Sequence, residues 1–524
     1  MRSHEFFRGL HNDRTKRDGS GANRTVTLID FDGKVWNDHH FMTGRPLQTR
    51  TWQEAVDGTS ADVTSTRNTY WSSPRTADGP GFHNAYMVRA DSTVTRARKA
   101  DGTYQVSQTD TSFDTEGRPV KAVDNGAPGD SGDDRCTTTT YADNTADGRW
   151  MLAFPETITL HEGACDGPAA SKSVTLYDGA AEPGTANKPF DGNPTSVRTY
   201  RDANTYATAG ATYDRFGRVT STTFPNGTSA TNDDTSTISY TPAEGWPTGG
   251  VTTTTPPPTV GAQPHVTKVF PGRGDGAPSK TLDANNNVTS LDYDAANRLI
   301  RVWGPAEPKP TNPSEAKPTV QFDYQTPQEG ITPPSGATVV KTQRLQSGST
   351  SNPNWLETWG YLDGFGRQVE TQTRTPAGSE TGRMISITRY DDRGLVAGTT
   401  GTPVYNADGP GRGLANTHWT AIPSWTTATY DGAERLTAAT LYGAGSKKWS
   451  STITPAADIT VATPPSGGKR AALSDVRGRT TALIDDYQGP KPSTTRYGYS
   501  VRDELASITD AEGNITRQQY DWTG

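Results

Sequence analysis

The chain is short of the residues that fill a globular core: only 31% of its 524 residues are hydrophobic. No run approaches the roughly 20 consecutive apolar residues of a membrane-spanning helix, so the sequence offers no such segment. Charge of one sign is nowhere concentrated, and the net charge is only −7. Without a basic face or an aromatic–basic module, nucleic acid is not an expected partner. Two cysteines and no CxxC argue against zinc. The eight histidines are scattered, His39 and His40 being the only neighbours, and no HxxxH or HExxH ligand set forms. Carboxylates are plentiful, yet no glycosidase pair stands out among them. Met1 is followed by RSHEFFRGLHNDRTKR, which lacks the apolar centre of a signal peptide. These absences predict a chain without catalytic residues, cofactor or metal.

What the chain has instead is turn formers and aromatics: 54 Gly, 37 Pro, 20 Tyr and 12 Trp. The glycine and proline lean toward disorder. The aromatic content opposes that, and together they point to a turn-rich β protein with a thin, aromatic core. The turns recur. DANNNVTSLDYDAANR (283–298) and DAEGNITRQQYDWTG (510–524) overlay without a gap, with a second Asp eleven residues after the first in each. The Tyr-Asp part occurs nine times, starting at Phe113, Tyr213, Tyr293, Leu362, Tyr390, Tyr430, Ser474, Tyr499 and Tyr520. Its second position is Asp114, Asp214, Asp294, Asp363, Asp391, Asp431, Asp475 and Asp521, with Ser500 the exception. Both side chains cap backbone N–H groups in turns. The fifth position is Gly117, Gly217, Gly366, Gly394, Gly478 or Gly524, with Asn297, Asp503 and Glu434 in the other copies. Gly, Asn and Asp tolerate φ > 0, so a left-handed turn residue is predicted there. Thr, Val, Tyr and Leu alternate on either side, as in TATYDGAERLTAATLY (427–442), which reads as a repeated β-hairpin.

The Tyr-Asp-x-x-Gly-Arg-Leu/Val pattern, with its Asp-x-x-Gly/Asn-Asn-x-Thr lead-in, resembles the YD repeat of the RHS family. That family includes bacterial polymorphic toxins, the C subunits of insecticidal toxin complexes and the teneurins. FFRGLHNDR (6–14) and TGRPLQTRTW (43–52) also resemble regions upstream of the repeats in actinobacterial members. The resemblance implies an all-β fold in which hairpins coil into a large hollow shell, here incomplete. It divides the chain into a β-rich upstream region, 1–110, and a YD-repeat array, 111–524. It implies a structural role: a shell segment that encloses and delivers a C-terminal toxin or effector. The alternative is an extracellular carbohydrate-binding or adhesion protein of the bacterial surface. The partners would be the C-terminal continuation with its toxin cargo, or cell-surface glycans, and the location secreted or at the cell surface. In relatives an Asp-Pro-containing core cuts the toxin free; this chain has no Asp-Pro. With a chain that stops at Gly524 inside a repeat, the expectation is an internal piece of a longer protein.

Other features have plainer readings. Asp30 and Asp32 before Gly33 lack a calcium loop's remaining ligands and read as a hairpin turn. GDSG (129–132) and the Arg273-Gly274-Asp275 triplet read as polar turns rather than as protease or integrin motifs. Cys136 and Cys165, 29 residues apart, form a disulfide in an exported protein or remain two buried thiols. The stretches 251–264, 305–318 and 454–468, rich in Pro and Thr, are expected to be loops projecting from one β-structure. The uneven repeat spacing predicts degenerate copies between the recognised ones. Trp355/Trp359 and Trp419/Trp425 are the candidate aromatic platforms for a glycan.

Overall fold

The computed structural model describes residues 12–17, 24–31, 45–52, 61–77, 84–224, 235–257, 262–311, 317–326, 337–347, 354–375, 382–415 and 417–521. Threonine, valine and tyrosine fit a pleated, half-buried surface, and the segments rich in them become strands such as Thr235–Thr241, Gly250–Thr255 and Leu436–Gly443. Among the described residues, thirty-five strands form one antiparallel ribbon in which each pairs with its neighbour in sequence. One strand breaks the rule. Arg383–Tyr390 pairs at its start with Val404–Asn406 and at its end with Val396–Thr400, which then pairs with Trp425–Tyr430. Val404–Asn406 is therefore an insertion, and the ribbon continues past it through Val396–Thr400 and Trp425–Tyr430. Among the described residues there is no α-helix, and none is long and apolar enough to cross a membrane.

The ribbon is a single layer. Its accessible surface is 30556 Å², against about 18,000 Å² for a compact monomer of the same mass. A layer this thin has little interior, which is why so few hydrophobic residues suffice. The buried ones are spread along it: Val174, Leu176, Trp303, Val339 and Tyr361. Among the described residues a cluster forms where the segment after Thr400 folds back, from Ile385, Ile387, Ile422 and Trp425.

The ribbon coils, and strands far apart in sequence meet edge to edge. Ala457 N–H donates to the Arg98 carbonyl at 2.9 Å, and Asp458 accepts from Ala100 N–H at 2.9 Å. Further along the same seam Arg477 bonds Asp124 at 3.1 Å and Arg135 bonds Asp503 at 2.6 Å.

Two loop expectations need correction. In 251–264 the Thr run belongs to the strand Gly250–Thr255, and in 454–468 the strand Ile459–Thr463 lies between tight turns. Both carry β-branched runs, and their prolines stand at or outside the strand ends, where no ladder N–H is needed. In 305–318 the described residues form no strand. The boundary at residue 110 falls within the strand Tyr104–Phe113. Asp32, Gly33, His39, His40, Gly524 and most of 6–14 lie outside the described residues.

Candidate functional site: the repeat edge and the coil seam

The described Tyr-Asp motifs close their hairpins with one bond set, varied at Asp391 and Ser500. At Asp214, Oδ1 accepts the N–H groups of Phe216 at 2.9 Å and Arg218 at 3.0 Å. Oδ2 accepts from Arg218 Nε at 2.6 Å, and Gly217 N–H bonds the Asp214 carbonyl at 3.0 Å. The pattern returns at Asp114, Asp294, Asp363, Asp431 and Asp475. Asp391 keeps the backbone bonds but takes its arginine from Arg393, because its sixth position is Leu395. Ser500 accepts the same two N–H groups and donates to Glu504 at 3.0 Å. All eight described fifth positions lie at positive φ, from Asn297 at 60° to Gly394 at 89°. Of the ninth copy only Tyr520 and Asp521 are described.

The lead-in is a second turn of the same kind. Asp283 and Asp510 cap the turns ending at Asn287 and Asn514, with Asn286 at φ 62° and Gly513 at φ 88°. Here an asparagine amide replaces the guanidinium, at 2.9 and 2.8 Å. The lead-in turn and the Tyr-Asp turn stand at opposite ends of the strand Val288–Tyr293, hence on opposite edges of the ribbon. Of these two turns the Tyr-Asp one carries a bulge, between Asp292 and Tyr293, and the lead-in one does not.

The donors around Asp294 and Asp283 also act on their titration. The Arg298 N–H, and after it the Arg298 side chain and the Ala296 N–H, hold the Asp294 carboxyl below the usual carboxylate range. The Asn287 side chain and N–H do the same for Asp283.

The arginine has a second task that the sequence reading missed. Its guanidinium lies over the tyrosine of the next hairpin: Arg118 over Tyr141, Arg218 over Tyr240, Arg298 over Tyr324, Arg367 over Tyr390 and Arg479 over Tyr499, at 4.1 to 4.9 Å. That tyrosine's hydroxyl donates to the carbonyl just after the arginine, as from Tyr390 to Gln368 at 3.0 Å and Tyr499 to Thr480 at 2.8 Å. The ladder between these hairpins starts two residues later, at Glu370 and Ala482, so the hydroxyl satisfies a carbonyl that the ladder leaves out. Burial pushes the phenols of Tyr141, Tyr240 and Tyr293 up, keeping them protonated donors. Tyr240 also marks a degenerate copy, and the PGRGDGAP turn holding Arg273, Gly274 and Asp275 closes a further hairpin. These two fill the gap between Tyr213 and Tyr293.

On the seam, Asp124 accepts from Arg135 at 3.0 Å and from Arg477 at 3.1 Å. Asp503 accepts from Arg135 at 2.6 Å and from Arg479 at 2.7 Å. Burial alone would raise both carboxyls, but the hydrogen bonds and charges of these arginines hold them below the ordinary range. GDSG lies in the seam turn, where Asp130 accepts the Gly132 N–H at 3.0 Å. Cys136 and Cys165 are joined in a disulfide, with Cα atoms 4.9 Å apart.

No protein-family model matches the sequence, and no curated protein matches it. Solved structures do. A TcdB2–TccC3 crystal structure superposes with a TM-score of 0.68 at 14% identity, over 94% of this chain and 30% of that one. A TcdB2–TccC3–Cdc42 structure gives 0.69 at 13%, over 93% and 34%. A chain of the Photorhabdus luminescens Tc holotoxin pore gives 0.68 at 12%, over 95% and 34%. The fold is that of an RHS/YD-repeat shell. This chain spans about a third of the length of the toxin-complex chains that it matches.

The aromatic platforms do not assemble in this ribbon as paired surfaces. Trp425 is 5% exposed, within the core cluster, and Trp419 alone reaches solvent, edge-on to Tyr442 at 5.3 Å. Both line a cavity of about 610 Å³ with Arg389 and His418. Trp355 and Trp359 are half-buried; Lys341 sits over the Trp359 ring and Gly411 packs against it. Trp425 lost its platform role to tertiary packing: the segment 401–424 covers it, and nothing local in the sequence signals that.

Proposed function

We propose that this chain is a wall segment of an RHS-type shell that encloses a toxin or effector carried on the same protein. On this reading its task is mechanical, and the motif residues serve turns and hairpin contacts. The observation that carries this reading is the seam. A ribbon that returns after one coil and bonds its own edge, Arg477 to Asp124 and Arg135 to Asp503, is how a single layer makes a wall. The toxin-complex likeness supports it at the level of fold. The disulfide supports a secreted or surface location, since such bonds persist in oxidising compartments. The test is proteinase K digestion of the full-length protein that carries this chain. A polypeptide inside the shell should survive, and should become cleavable when R477E and R479E open the seam. Cleavage of all other segments at the same rate in the intact protein would refute enclosure.

A second reading, glycan binding, is favoured by one feature: the cavity at Trp419 and Tyr442, which offers a ring face beside Arg389 and His418. On a glycan array, binding that W419A abolishes would establish it; an array without signal would remove it.

A further inference from the structure

We infer that the Cys136–Cys165 disulfide is a thiol-sensitive latch on the seam, tightening the wall when oxidised and loosening it when reduced. The inference rests on the seam and not on what the wall encloses. The early side of the seam is built from two adjacent turns, residues 125–134 and 163–168. Two links tie them together: Gly163 N–H to the Asp134 carbonyl at 2.9 Å, and the disulfide. Arg135, next to Cys136 in the chain, reaches in both directions. Its Nε holds Asp124 of its own turn at 3.0 Å, while Nη1 takes Asp503 at 2.6 Å and the Val501 carbonyl at 3.2 Å on the later coil. Arg477 completes the joint by bonding Asp124 and the Asp133 carbonyl. The disulfide thus braces the segment from which the seam's ion pairs are made.

Access is asymmetric. Cys136 is 0% exposed, whereas Cys165 is half-buried and forms part of a cavity of about 580 Å³ beside Asp134, Gly163 and Asp166. A small dithiol can therefore attack Cys165 Sγ as its thiolate. The S–S bond breaks, Cys136 Sγ leaves with the electron pair and takes a proton from water. The dithiol's second sulfur, as thiolate, then displaces Cys165 Sγ, which is protonated in turn, and the donor closes to a cyclic disulfide. Two electrons and two protons pass to the protein. The turn at 163–168 keeps its own bonds, Gly167 N–H to Ala164 at 2.8 Å and Glu162 N–H to Pro168 at 2.9 Å. The ladder pairs of Cys136 with Val123 and His161 also remain. Reduction removes the covalent link between the two turns, leaving the Gly163–Asp134 bond, among the described residues, as their only brace outside the ladder, and does not melt the ribbon. Outside a cell the bond persists; in a reducing compartment the wall loosens at this joint.

Trypsin digestion of the 524-residue chain tests this. Dithiothreitol should speed cleavage after Arg477 and Arg479 about tenfold, a local opening, and leave cleavage after Arg298 and Arg367 unchanged. The double variant C136S/C165S should be cleaved fast at the seam with or without reductant. The latch is overturned if reduction leaves the seam sites slow, or if all four sites accelerate together, which would be global unfolding. R477E, with the disulfide intact, separates the two ideas when cleavage is read after Arg479, since the substitution removes the site after residue 477. Fast seam cleavage in R477E but not on reduction would leave the seam and remove the latch; no change in either would remove the seam itself.

Discussion

Gly217 has φ of 73°, and a Cβ added there would meet nothing nearer than Asn193 Oδ1 at 3.7 Å. Space is not what selects glycine; the dihedral is. Gly217→Val should destabilise the chain by about 1–2 kcal/mol, while Gly217→Asn should be much milder. Urea midpoints at unchanged slope check this, and equal midpoints for both variants would mean that the turn does not need its left-handed residue. Gly411 differs in kind: its φ is 87° and the Trp359 ring stands 2.6 Å from an added Cβ. Gly411→Ala should therefore suffer a clash as well as strain, and Trp359 emission should report the displaced ring.

A hairpin in this ribbon is fastened to the next by a hydroxyl, a ring and a guanidinium, and the three can be separated. Tyr499→Phe keeps the ring 4.9 Å from Arg479 but abandons the Thr480 carbonyl, and should cost about 1 kcal/mol. Tyr499→Ala should cost clearly more, since the arginine then loses its platform. Equal denaturation midpoints for the two variants would mean that the ring contributes nothing. This fastening also marks the limit of what the sequence discloses. Left-handed turn positions leave a compositional trace, so Gly117, Gly217, Asn297 and Asp503 could be read directly. The partner of Arg218 could not, because Tyr240 lies one hairpin on, at a distance set by loop length. The Asp283 turn looked like a preface to the Tyr-Asp turn because only three dimensions put the two on opposite edges. Tyr240 and the PGRGDGAP turn kept the fold of the motif while losing its letters. Trp425 is explained only by the segment that packs over it.

At the scale of the whole molecule, the seam is where, among the described residues, the coil holds itself by charge. Asp124 and Asp503 have lowered carboxyl values, so their contribution is complete above the ordinary value of 3.8. It is lost as pH falls below that, through the lowered values of the folded state. Small-angle scattering should show the particle expanding between about pH 4 and pH 2, and earlier in high salt, since these pairs are partly solvated. Unchanged dimensions throughout would show that backbone contacts alone close the coil. There is a further consequence in the ribbon's connectivity. Almost every strand bonds the strand made just before it, whereas seam partners such as Asp124 and Arg477 are 353 residues apart. Contacts that local allow a chain to fold from one end as it emerges from a ribosome or an export channel, each hairpin templating the next. The seam has to come last, because its two sides are synthesised a full coil apart. The coil thus forms course by course and is joined edge to edge only when the later side of the seam, around Arg477 and Asp503, has been made.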